Sequence, residues 1–463
     1  MQSILQKNNF FFIGVGGAGM SAIAQYLAGN GKTVKGSDRL FAFAENDYIK
    51  TQLEHEHIAC FIQDGSGIDT HTEAIIISTA IEDSNIEIQK AKQLGIPIII
   101  RAELLAAICA SKRTIAIAGT SGKSTVTAML FHALYENGVS PSLITGAGLV
   151  SLQQEGKIGN AFVGNSDWLL IEADESDGTL VKYKPEIGLL LSIDKDHKEL
   201  DELFGIFQTF KDNTQQQFVV NAGHALAKKY SQKPEQDFGE DSPFSGKDFK
   251  QNGFHISFTV TDTLLGENIE FNIPTIGRHN MENALAVVAI AHLLGVSIKQ
   301  CAKALTTYGG IYRRHQLLGE HHGLTVIDDY AHNPAKIAAS IKACLPVATK
   351  LIAWFQPHGY GPTRFIRKEL VEEITLALRP DDEIWMSEIY YAGGTAVKDI
   401  SANDIIQDLQ KNNVHAFFVE DRVALFQQLM HKLEPNTVLL LMGARDPSLE
   451  KFAKEVMRMV MEK

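Results

Sequence analysis

Two glycine-rich segments of the chain contain the residue types that bind phosphate groups. The first is GVGGAG, residues 14–19, which follows the apolar run FFFI and precedes the helical pattern MSAIAQYLAG. Glycines let backbone amides approach a phosphate closely, and the N-terminus of the following helix adds a positive dipole end. Asp38 lies nineteen residues after Gly19, where a carboxylate would hold a ribose hydroxyl. The spacing predicts a nucleotide-diphosphate site, for which NAD is an obvious ligand, and a plain tight turn is the alternative.

The second segment is GTSGKST, residues 119–125, between the apolar run TIAIA and the helical pattern VTAMLFHALYENG. The usual phosphate loop, G-x-x-x-x-G-K-[ST], has four residues between its glycines, whereas here only Thr120 and Ser121 separate them. Lys123 would reach the β- and γ-phosphates of a nucleotide, and the Ser124 hydroxyl would bind Mg²⁺. The segment predicts a shortened phosphate loop, and a glycine turn with a solvated lysine is the alternative.

A cluster of acids closes the apolar run WLLI within the segment IEADESD. Four carboxylates so close together repel one another unless cations neutralise them. Because the carboxyl ends of parallel strands meet at one edge of a sheet, Glu172 is expected beside the phosphate loop. His197 closes the following strand in SIDKDH, and with Ser124 these residues would form a Mg²⁺ shell. A solvated acidic loop and a structural histidine are the alternatives. The four acids are Glu172, Asp174, Glu175 and Asp177.

Three later motifs add polar residues that suit a nucleotide. Asn283, in IGRHNMENA, would contact adenine edges. Arg314, in YRR, would stabilise a transferring phosphate, and Asp329, in DDYAHNP, would hold a ribose. Each residue taken alone also fits an ordinary structural role.

The composition limits the class of protein. With 463 residues the chain is too long for one core, and about three domains are expected. A net charge of −12 argues against a nucleic-acid partner. The four cysteines are far apart and form no CxxC pair, which argues against zinc and disulfides and fits the reduced cytoplasm. No run is long enough for a membrane span, and the N-terminus predicts a first strand and not a signal peptide.

Apolar runs alternate with helical patterns through most of the chain, which predicts an α/β fold with parallel strands buried on both faces. We expect three domains, at residues 1–110, 111–311 and 312–463. The central domain would contain a small antiparallel insertion formed by GFHISFTV and ENIEFNIP. The third would contain five strands, in the segments LTVIDDYA, KLIAWFQP, EIWMSEIY, HAFFVED and TVLLLMG.

The motifs, in this order, resemble those of the Mur ligases, ATP-dependent amide-forming enzymes of peptidoglycan synthesis. The likeness spans almost the whole chain, and the short loop GT-x-GK-[ST]-T is a hallmark of that family. The other matching segments are GVGGAGMSAIA, RAELLA, EADESD, GRHNMENALA, RRHQLLGE, DDYAHNP and FQPH. The resemblance implies a Rossmann-like N-terminal domain that binds a UDP-sugar, a central ATP-binding domain, and a Rossmann-like C-terminal domain that contacts ATP and the amino acid. NAD is disfavoured, because it leaves the second loop and EADESD unexplained.

The resemblance also implies residue roles. UDP-sugar-binding positions would be Gly14, Gly16, Gly17, Ala18, Gly19, Met20, Ser21 and Asp38. ATP-binding positions would be Gly119, Thr120, Ser121, Gly122, Lys123, Ser124, Thr125, Asn283, Arg314 and Asp329. Metal ligands would be Ser124, Glu172 and His197, and the catalytic residues Lys123, Glu172, His197, Arg314 and His332. The acceptor region would contain Tyr330, His332, His358 and Arg364.

The activity implied is transfer of an amino acid, with L-alanine expected, onto the lactyl carboxylate of UDP-N-acetylmuramate through an acyl phosphate. The cofactors would be ATP and Mg²⁺, and the protein a cytoplasmic monomer or dimer. The alternatives are a ligase that recycles a muropeptide tripeptide, a paralogue with another acceptor and, less in keeping with the intact motifs, a non-catalytic regulator.

The chain departs from the family pattern where the acceptor should bind. Family members that use L-alanine have FQPHRYTRTR, but this chain has FQPHGYGPTR, so Gly359 and Pro362 replace two arginines while Arg364 remains. Asn333 replaces a histidine in DDYAHNP. Arg445, in GARDPSL, either compensates for a lost arginine or is an ordinary surface arginine.

Overall fold

The computed structural model describes residues 2–42, 47–175, 178–194, 199–391, 397–446 and 448–462. The chain divides into two compact units. Unit 1 contains Met1–Lys250, Ser257–Pro274 and Arg278–Ile311, and unit 2 contains Gln251–Ile256, Thr275–Gly277 and Tyr312–Lys463. Within the described residues, no helix combines the length and apolar composition needed to cross a bilayer.

The first sheet of unit 1 has five parallel strands in the order β3-β2-β1-β4-β5. In a doubly wound sheet of this order, ligands bind outside the carboxyl ends of the strands, where the chain reverses its direction of winding. The strands are β1 Asn9–Ile13, β2 Thr33–Ser37, β3 Ala59–Phe61, β4 Ala74–Ile77 and β5 Ile98–Ile100. The helices are α1 Gln2–Leu5, α2 Ala18–Gly29, α3 Asp47–His55, α4 Ile86–Gln93 and α5 Arg101–Ala110.

The second sheet of unit 1 has six strands in the order β11-β10-β6-β9-β7-β8, with only the β7–β8 pair antiparallel. Its central strand, β6, lies between β10 and β9, so the loop after β6 lies between the ends of both. The strands are β6 Arg113–Ala118, β7 Ser142–Ile144, β8 Ala161–Phe162, β9 Trp168–Glu172, β10 Ile187–Leu190 and β11 Gln217–Val220. The helices are α6 Lys123–Glu136, α7 Val150–Gln154, α8 Leu200–Asn213, α9 His279–Leu293 and α10 Ile298–Leu305.

A third, small sheet has the order β12-β13-β14. Its strands are β12 Phe244–Asn252, β13 His255–Asp262 and β14 Glu267–Ile273. Burial alternates along β13, so one face of this strand is covered and the other is more exposed. The two strands predicted for the insertion are β13 and β14, and β12 precedes them.

The sheet of unit 2 has the order β15-β16-β20-β17-β18-β19, with β15 antiparallel to β16 and the other pairs parallel. The strands are β15 Gln316–His321, β16 Leu324–Asp329, β17 Lys350–Gln356, β18 Glu383–Met386, β19 His415–Phe418 and β20 Thr437–Gly443. The helices are α11 Pro334–Cys344, α12 Tyr360–Ala377, α13 Ala402–Lys411, α14 Arg422–Met430 and α15 Leu449–Met461.

Strand β17 shows how this sheet is buried on both faces. Leu351, Ala353 and Phe355 pack into one hydrophobic cluster, while Ile352 and Trp354 pack into a second cluster. Successive side chains of a strand point to opposite faces, so a continuous apolar run fills two layers of core. The predicted α/β class is confirmed.

Side-chain caps fix the starts of several helices, among them α10 and α11. In α10, the Ser297 hydroxyl accepts a hydrogen bond from the Gln300 amide, and the Gln300 side chain accepts one from the Ser297 amide. In α11, Asn333 Oδ1 accepts from the Lys336 amide at 2.9 Å, and Pro334 follows at the first helical position. Asn333, where the family pattern has a histidine, therefore caps the helix that follows DDYAH.

Candidate nucleotide and acceptor sites

The first glycine loop connects β1 to α2 and is fastened to the end of β2. The amides of Gly14 and Val15 both donate to the Ser37 carbonyl, at 2.8 and 3.0 Å. Met20 and Ser21 are buried in the first turn of α2, so this segment offers a ligand mainly its backbone. Residues 14–17 thus form the turn and residues 18–21 the first turn of α2, at the carboxyl edge of the sheet, and their assignment to a UDP-sugar stays a prediction.

Asp38 is buried behind this loop. Its Oδ2 accepts from the Gly16 amide and its Oδ1 from the Leu40 amide, both at 3.0 Å. The carboxylate therefore braces the loop, an arrangement that sequence spacing did not reveal. Its predicted contact with a ribose remains a prediction.

Two residues that the sequence reasoning did not single out contact the same loop. Asn160, the residue before β8, donates from Nδ2 to the Ala18 carbonyl at 2.8 Å and to Ser21 Oγ at 2.9 Å. Arg101 begins α5, and its guanidinium lies over the first turn of α2, because a Cβ added to Gly19 would be 2.9 Å from Arg101 Nη1. A guanidinium beside a helix N-terminus suits a phosphate. The quoted motif RAELLA contained the only sequence signal for Arg101, and Asn160 had none.

The second glycine loop lies between β6 and α6 and has the geometry of a phosphate cradle. Gly122 caps α6 with φ +86°, a left-handed conformation that glycine adopts without strain. A Cβ on Gly122 would lie 2.9 Å from Asn283 Oδ1, so the predicted adenine-contacting residue on α9 lies against the loop. Thr120 and Ser121 donate their amides to the Ser192 carbonyl and hydroxyl, at 3.1 Å each. The two-residue spacing thus forms a loop fastened to the end of β10.

Lys123, the first residue of α6, has its ammonium group inside this loop. Its Nζ donates to the Gly119 carbonyl and to Glu175 Oε2, at 2.7 Å in both cases, and Asp174 Oδ1 lies 3.8 Å away. The acidic segment IEADESD therefore supplies the counter-charge of the lysine. A phosphate group bound here would compete with Glu175 for the same donor.

Glu172 ends β9 directly across from β6 and has one oxygen suited to a cation. Its Oε2 accepts from the Gly146 amide at 2.9 Å, whereas its Oε1 is buried and has no hydrogen-bond partner among the described residues. A buried carboxylate oxygen needs a partner, and Mg²⁺ prefers oxygen ligands. Ser124 is in the first turn of α6, but His197 lies outside the described residues. In the described part of the chain no three His, Cys, Asp or Glu side chains form a metal cluster.

In unit 2, the turns around β16 are held by buried carboxylates. Asp329 accepts from the His315 amide at 2.6 Å and from the Ala331 amide at 2.8 Å. Arg313 forms a buried ion pair with Asp328, Nε to Oδ2 at 2.9 Å. The Arg314 guanidinium lies 5.5 Å from the Tyr330 ring centroid, in cation–π range. Sequence reasoning assigned Arg314 and missed the buried Arg313 that precedes it.

His332 and His358 lie together at the carboxyl edge of the unit 2 sheet, with ring centroids 5.8 Å apart. The Nδ1 of His332 is 2.9 Å from the Tyr330 carbonyl, so this nitrogen carries the proton and Nε2 is left as an acceptor. Burial lowers the pKa of His332 to about 4. Burial, followed by the charge of Arg445, also lowers the pKa of His358. Both imidazoles are therefore neutral near pH 7.

The segment FQPHGYGPTR runs from the end of β17 into the first turns of α12. Gly359 is the N-cap residue, with φ +71° and ψ 124°, and its amide donates to the Tyr390 carbonyl at 2.9 Å. Arg364, predicted in the acceptor region, forms an ion pair with Asp399. The arginine retained from the family pattern is thus already paired, and its role toward an acceptor stays a prediction.

The parallel sheets and their phosphate-type loops define a multidomain α/β protein of the class that binds nucleotides at strand ends. Three family models match the chain: "Mur ligase family, catalytic domain" over residues 9–113, "Mur ligase middle domain" over 117–291, and "Mur ligase, glutamate ligase domain" over 313–445. The chain belongs to the Mur ligase family.

Relatives match over nearly full length. The UDP-N-acetylmuramate–L-alanine ligase of Microcystis aeruginosa is 35% identical over 459 residues, covering 94% of this chain and 93% of that protein. The same-named ligase of Geotalea uraniireducens is 33% identical over 454 residues, covering 94% of each. The crystal structure of UDP-N-acetylmuramate-alanine ligase from Thermotoga maritima has a TM-score of 0.81 at 25% identity and covers 98% of this chain and 99% of that one. A murein peptide ligase from Psychrobacter arcticus shares the fold, with a TM-score of 0.68 at 19% identity and coverage of 98% and 99%.

Proposed function

We propose that the chain is an ATP-dependent ligase that joins L-alanine to the lactyl carboxylate of UDP-N-acetylmuramate, releasing ADP and phosphate. The observation that carries this proposal is the similarity, over 94% of the chain, to ligases named for UDP-N-acetylmuramate and L-alanine. The two glycine loops suit the two nucleotides. Residues 14–21 would bind the UDP-sugar and residues 119–125 would bind ATP. A cytoplasmic location and a monomeric or dimeric state remain predictions.

In the first step, a lactyl oxygen attacks the γ-phosphorus of ATP. The bond from this phosphorus to the β–γ bridging oxygen breaks, ADP departs, and the lactyl group becomes an acyl phosphate. Two anions must approach, and at about 4 Å each pair of unit charges costs roughly 4 kcal/mol in an effective dielectric of about 20. Such a cost slows the step roughly a thousandfold. We assign Lys123 and Arg314 to offset it with positive charge at the transferring phosphate.

Glu172, Ser124 and His197 are the residues that we assign to Mg²⁺, which supplies charge neutralisation and orientation of the phosphates. The support is the buried Oε1 of Glu172, which has no partner in the described part of the chain. The amide of Gly146 donates a hydrogen bond to the other oxygen, Oε2.

In the second step, the neutral amine of the acceptor attacks the acyl carbon and phosphate leaves. His332 presents a neutral imidazole: its Nδ1 donates to the Tyr330 carbonyl, which leaves the lone pair of Nε2 able to accept a hydrogen bond. Since its pKa is about 4, it is a weak base, and a base acts best with a pKa near the working pH. We therefore assign His332 to orienting the amine through a hydrogen bond.

A ligase that adds a peptide in place of L-alanine is the second candidate. It is favoured by one observation: the α12 N-terminus, where family members carry two arginines, here has Gly359 and Pro362, and Arg364 pairs with Asp399. In this candidate, residues other than those of the family pattern would hold the acceptor, and the acceptor would differ from L-alanine.

An acceptor screen tests both candidates. The protein is incubated with ATP, Mg²⁺ and UDP-N-acetylmuramate together with L-alanine, glycine, L-serine or the muropeptide tripeptide, and phosphate and product mass are measured. We expect phosphate release with L-alanine that also requires the sugar nucleotide. The Lys123→Ala variant serves as the inactive control. Release with the tripeptide alone selects the second candidate, and no release with any acceptor rejects the ligase.

A further inference from the structure

Arg445 and His358 occupy matching positions beyond two paired strands. In the parallel β17–β20 pair, Gln356 is in register with Gly443. His358 and Arg445 each follow two residues later, so both lie at the carboxyl edge of the unit 2 sheet. This is the edge at which ligands of open α/β sheets bind.

The backbone of Arg445 is held in an unusual conformation. Its φ is +68°, in the left-handed region that non-glycine residues seldom adopt. The residue after it is tied to the neighbouring strand, because Arg422 Nη1 donates to Asp446 Oδ2 at 2.8 Å and to Gln356 Oε1 of β17 at 3.1 Å. Strain of this kind persists where the surroundings over-determine it, and it clusters at ligand sites.

The Arg445 side chain is exposed, and its charge acts on His358. His358 in turn lies beside His332, and both rings are neutral. The edge therefore combines the guanidinium of Arg445, a group that binds a carboxylate through two parallel hydrogen bonds, with imidazole nitrogens that accept hydrogen bonds from an amine. An α-amino acid carries this pair of groups.

Two other positions of FQPHGYGPTR, residues 359 and 364, do not supply the positive charge beside His358. Arg364 is paired with Asp399. At Gly359, φ +71° disfavours any side chain, and an added Cβ would lie 3.3 Å from Pro362 Cδ. An arginine at position 359 would strain this backbone, and the charge that acts on His358 is that of Arg445, which follows the neighbouring strand β20.

We propose that Arg445 binds the carboxylate of the acceptor and thereby makes a free carboxylate part of acceptor specificity. This inference rests on the proposed ligase function. A phosphate of ATP is the other anion that a guanidinium would bind, and the test below separates the two.

Arg445→Gly is the decisive variant, since glycine adopts the left-handed turn without strain. We expect its melting temperature to be equal to or above that of the parent. The KM for the acceptor identified in the screen should rise about 10-fold to 100-fold, as for a lost charged hydrogen bond. The KM values for ATP and UDP-N-acetylmuramate should change by less than about twofold. Arg445→Lys keeps the positive charge but lacks the paired donors of the guanidinium, so its KM for the acceptor should lie between those of the parent and Arg445→Gly. Arg458→Ala, an exposed arginine on α15, is the matched control and should leave all three KM values unchanged.

A second readout uses the amide of the same acceptor, which lacks the carboxylate charge. The parent protein should prefer the acid to the amide, and Arg445→Gly should lose most of this preference. If the parent is active and Arg445→Gly keeps its acceptor KM and its preference, the inference is wrong. It is also wrong if only the KM for ATP rises. If the parent releases no phosphate with any acceptor, the proposed function itself fails.

Discussion

Lys123 Nζ donates a 2.7 Å hydrogen bond to Glu175 Oε2, and the Glu175 side chain is only 5% exposed. The phosphate-loop lysine is thus paired with a carboxylate from the acidic segment that follows β9. Any phosphate that reaches Lys123 must displace or share this contact. Buried charges of like sign at such distances repel strongly, since the local dielectric is low.

Glu175→Gln should therefore bind ATP more tightly than the parent when Mg²⁺ is removed with a chelator. The substitution keeps the shape of the side chain and removes the negative charge beside the phosphates. Isothermal titration with ATP measures the affinity. Glu186, the residue before β10, pairs with Arg113, and Glu186→Gln is the matched control that should leave the affinity for ATP unchanged. Equal or weaker ATP binding by Glu175→Gln contradicts this account of the loop.

Arg101→Ala should weaken the sugar-nucleotide site selectively. The guanidinium lies over the first turn of α2, and loss of a charged contact to a phosphate costs about 1.5–3 kcal/mol. We expect the KM for UDP-N-acetylmuramate to rise at least about 10-fold while the KM for ATP stays constant. Lys92→Ala, an exposed lysine on α4, provides the control. If only the KM for ATP rises, the assignment of Arg101 to the sugar-nucleotide site is wrong.

Arg313→Ala should destabilise unit 2 by about 3–5 kcal/mol, because it leaves Asp328 buried without its partner. The Asp328 side chain is 3% exposed, and burial already raises the pKa of this carboxyl to about 6. Chemical denaturation followed by tryptophan fluorescence measures the loss. Replacing both partners with Arg313→Met and Asp328→Leu should restore much of the stability. Lys368→Ala, in an exposed pair with Glu372, should have no measurable effect. A similar loss in the double variant would show that the ion pair is not the cause.

His332 should make stability fall on mild acidification. Its folded pKa of about 4 lies below the ordinary value of 6.5, so the unfolded chain binds the extra proton first. The stability present above pH 6.5 is lost as the pH falls toward 4. When the pH falls from 7 to 5, the free energy of unfolding of His332→Asn should decrease by roughly 2 kcal/mol less than that of the parent. Urea unfolding at the two pH values measures this, with substitution of the exposed His415 of β19, His415→Asn, as the control. Identical losses in parent and His332→Asn would refute it.

The strands of unit 2 show what the sequence allows one to predict. The five predicted segments are β16 to β20, and each is an apolar run bounded by polar or turn residues. Strand β15 (QLLGEH) was missed because it is an antiparallel edge strand with only partial burial, and its pattern is weak.

The site residues also fall into two groups, those that a local motif predicts and those that depend on contacts between distant parts of the sequence. Gly119, Gly122 and Lys123 lie on one local motif, so their spacing alone placed them at a strand-to-helix turn. Asn160 contacts Ala18 and Ser21 from more than a hundred residues away in sequence, and no local pattern encodes such a contact. Arg364 kept its place in the family pattern, but its pairing with Asp399 depends on a loop that follows β18 and was not foreseeable.

The central claim is that the lactyl carboxylate is activated as an acyl phosphate by ATP bound at the loop of Lys123. UDP-N-acetylmuramate is prepared with a heavy oxygen isotope in its lactyl carboxylate, and the parent protein is given ATP, Mg²⁺ and L-alanine. Mass spectrometry then follows the label. We predict that one labelled oxygen appears in inorganic phosphate for each amide formed, and that Lys123→Ala, although folded, forms neither product. Amide formation that leaves the phosphate unlabelled, or full activity in Lys123→Ala, would contradict the account.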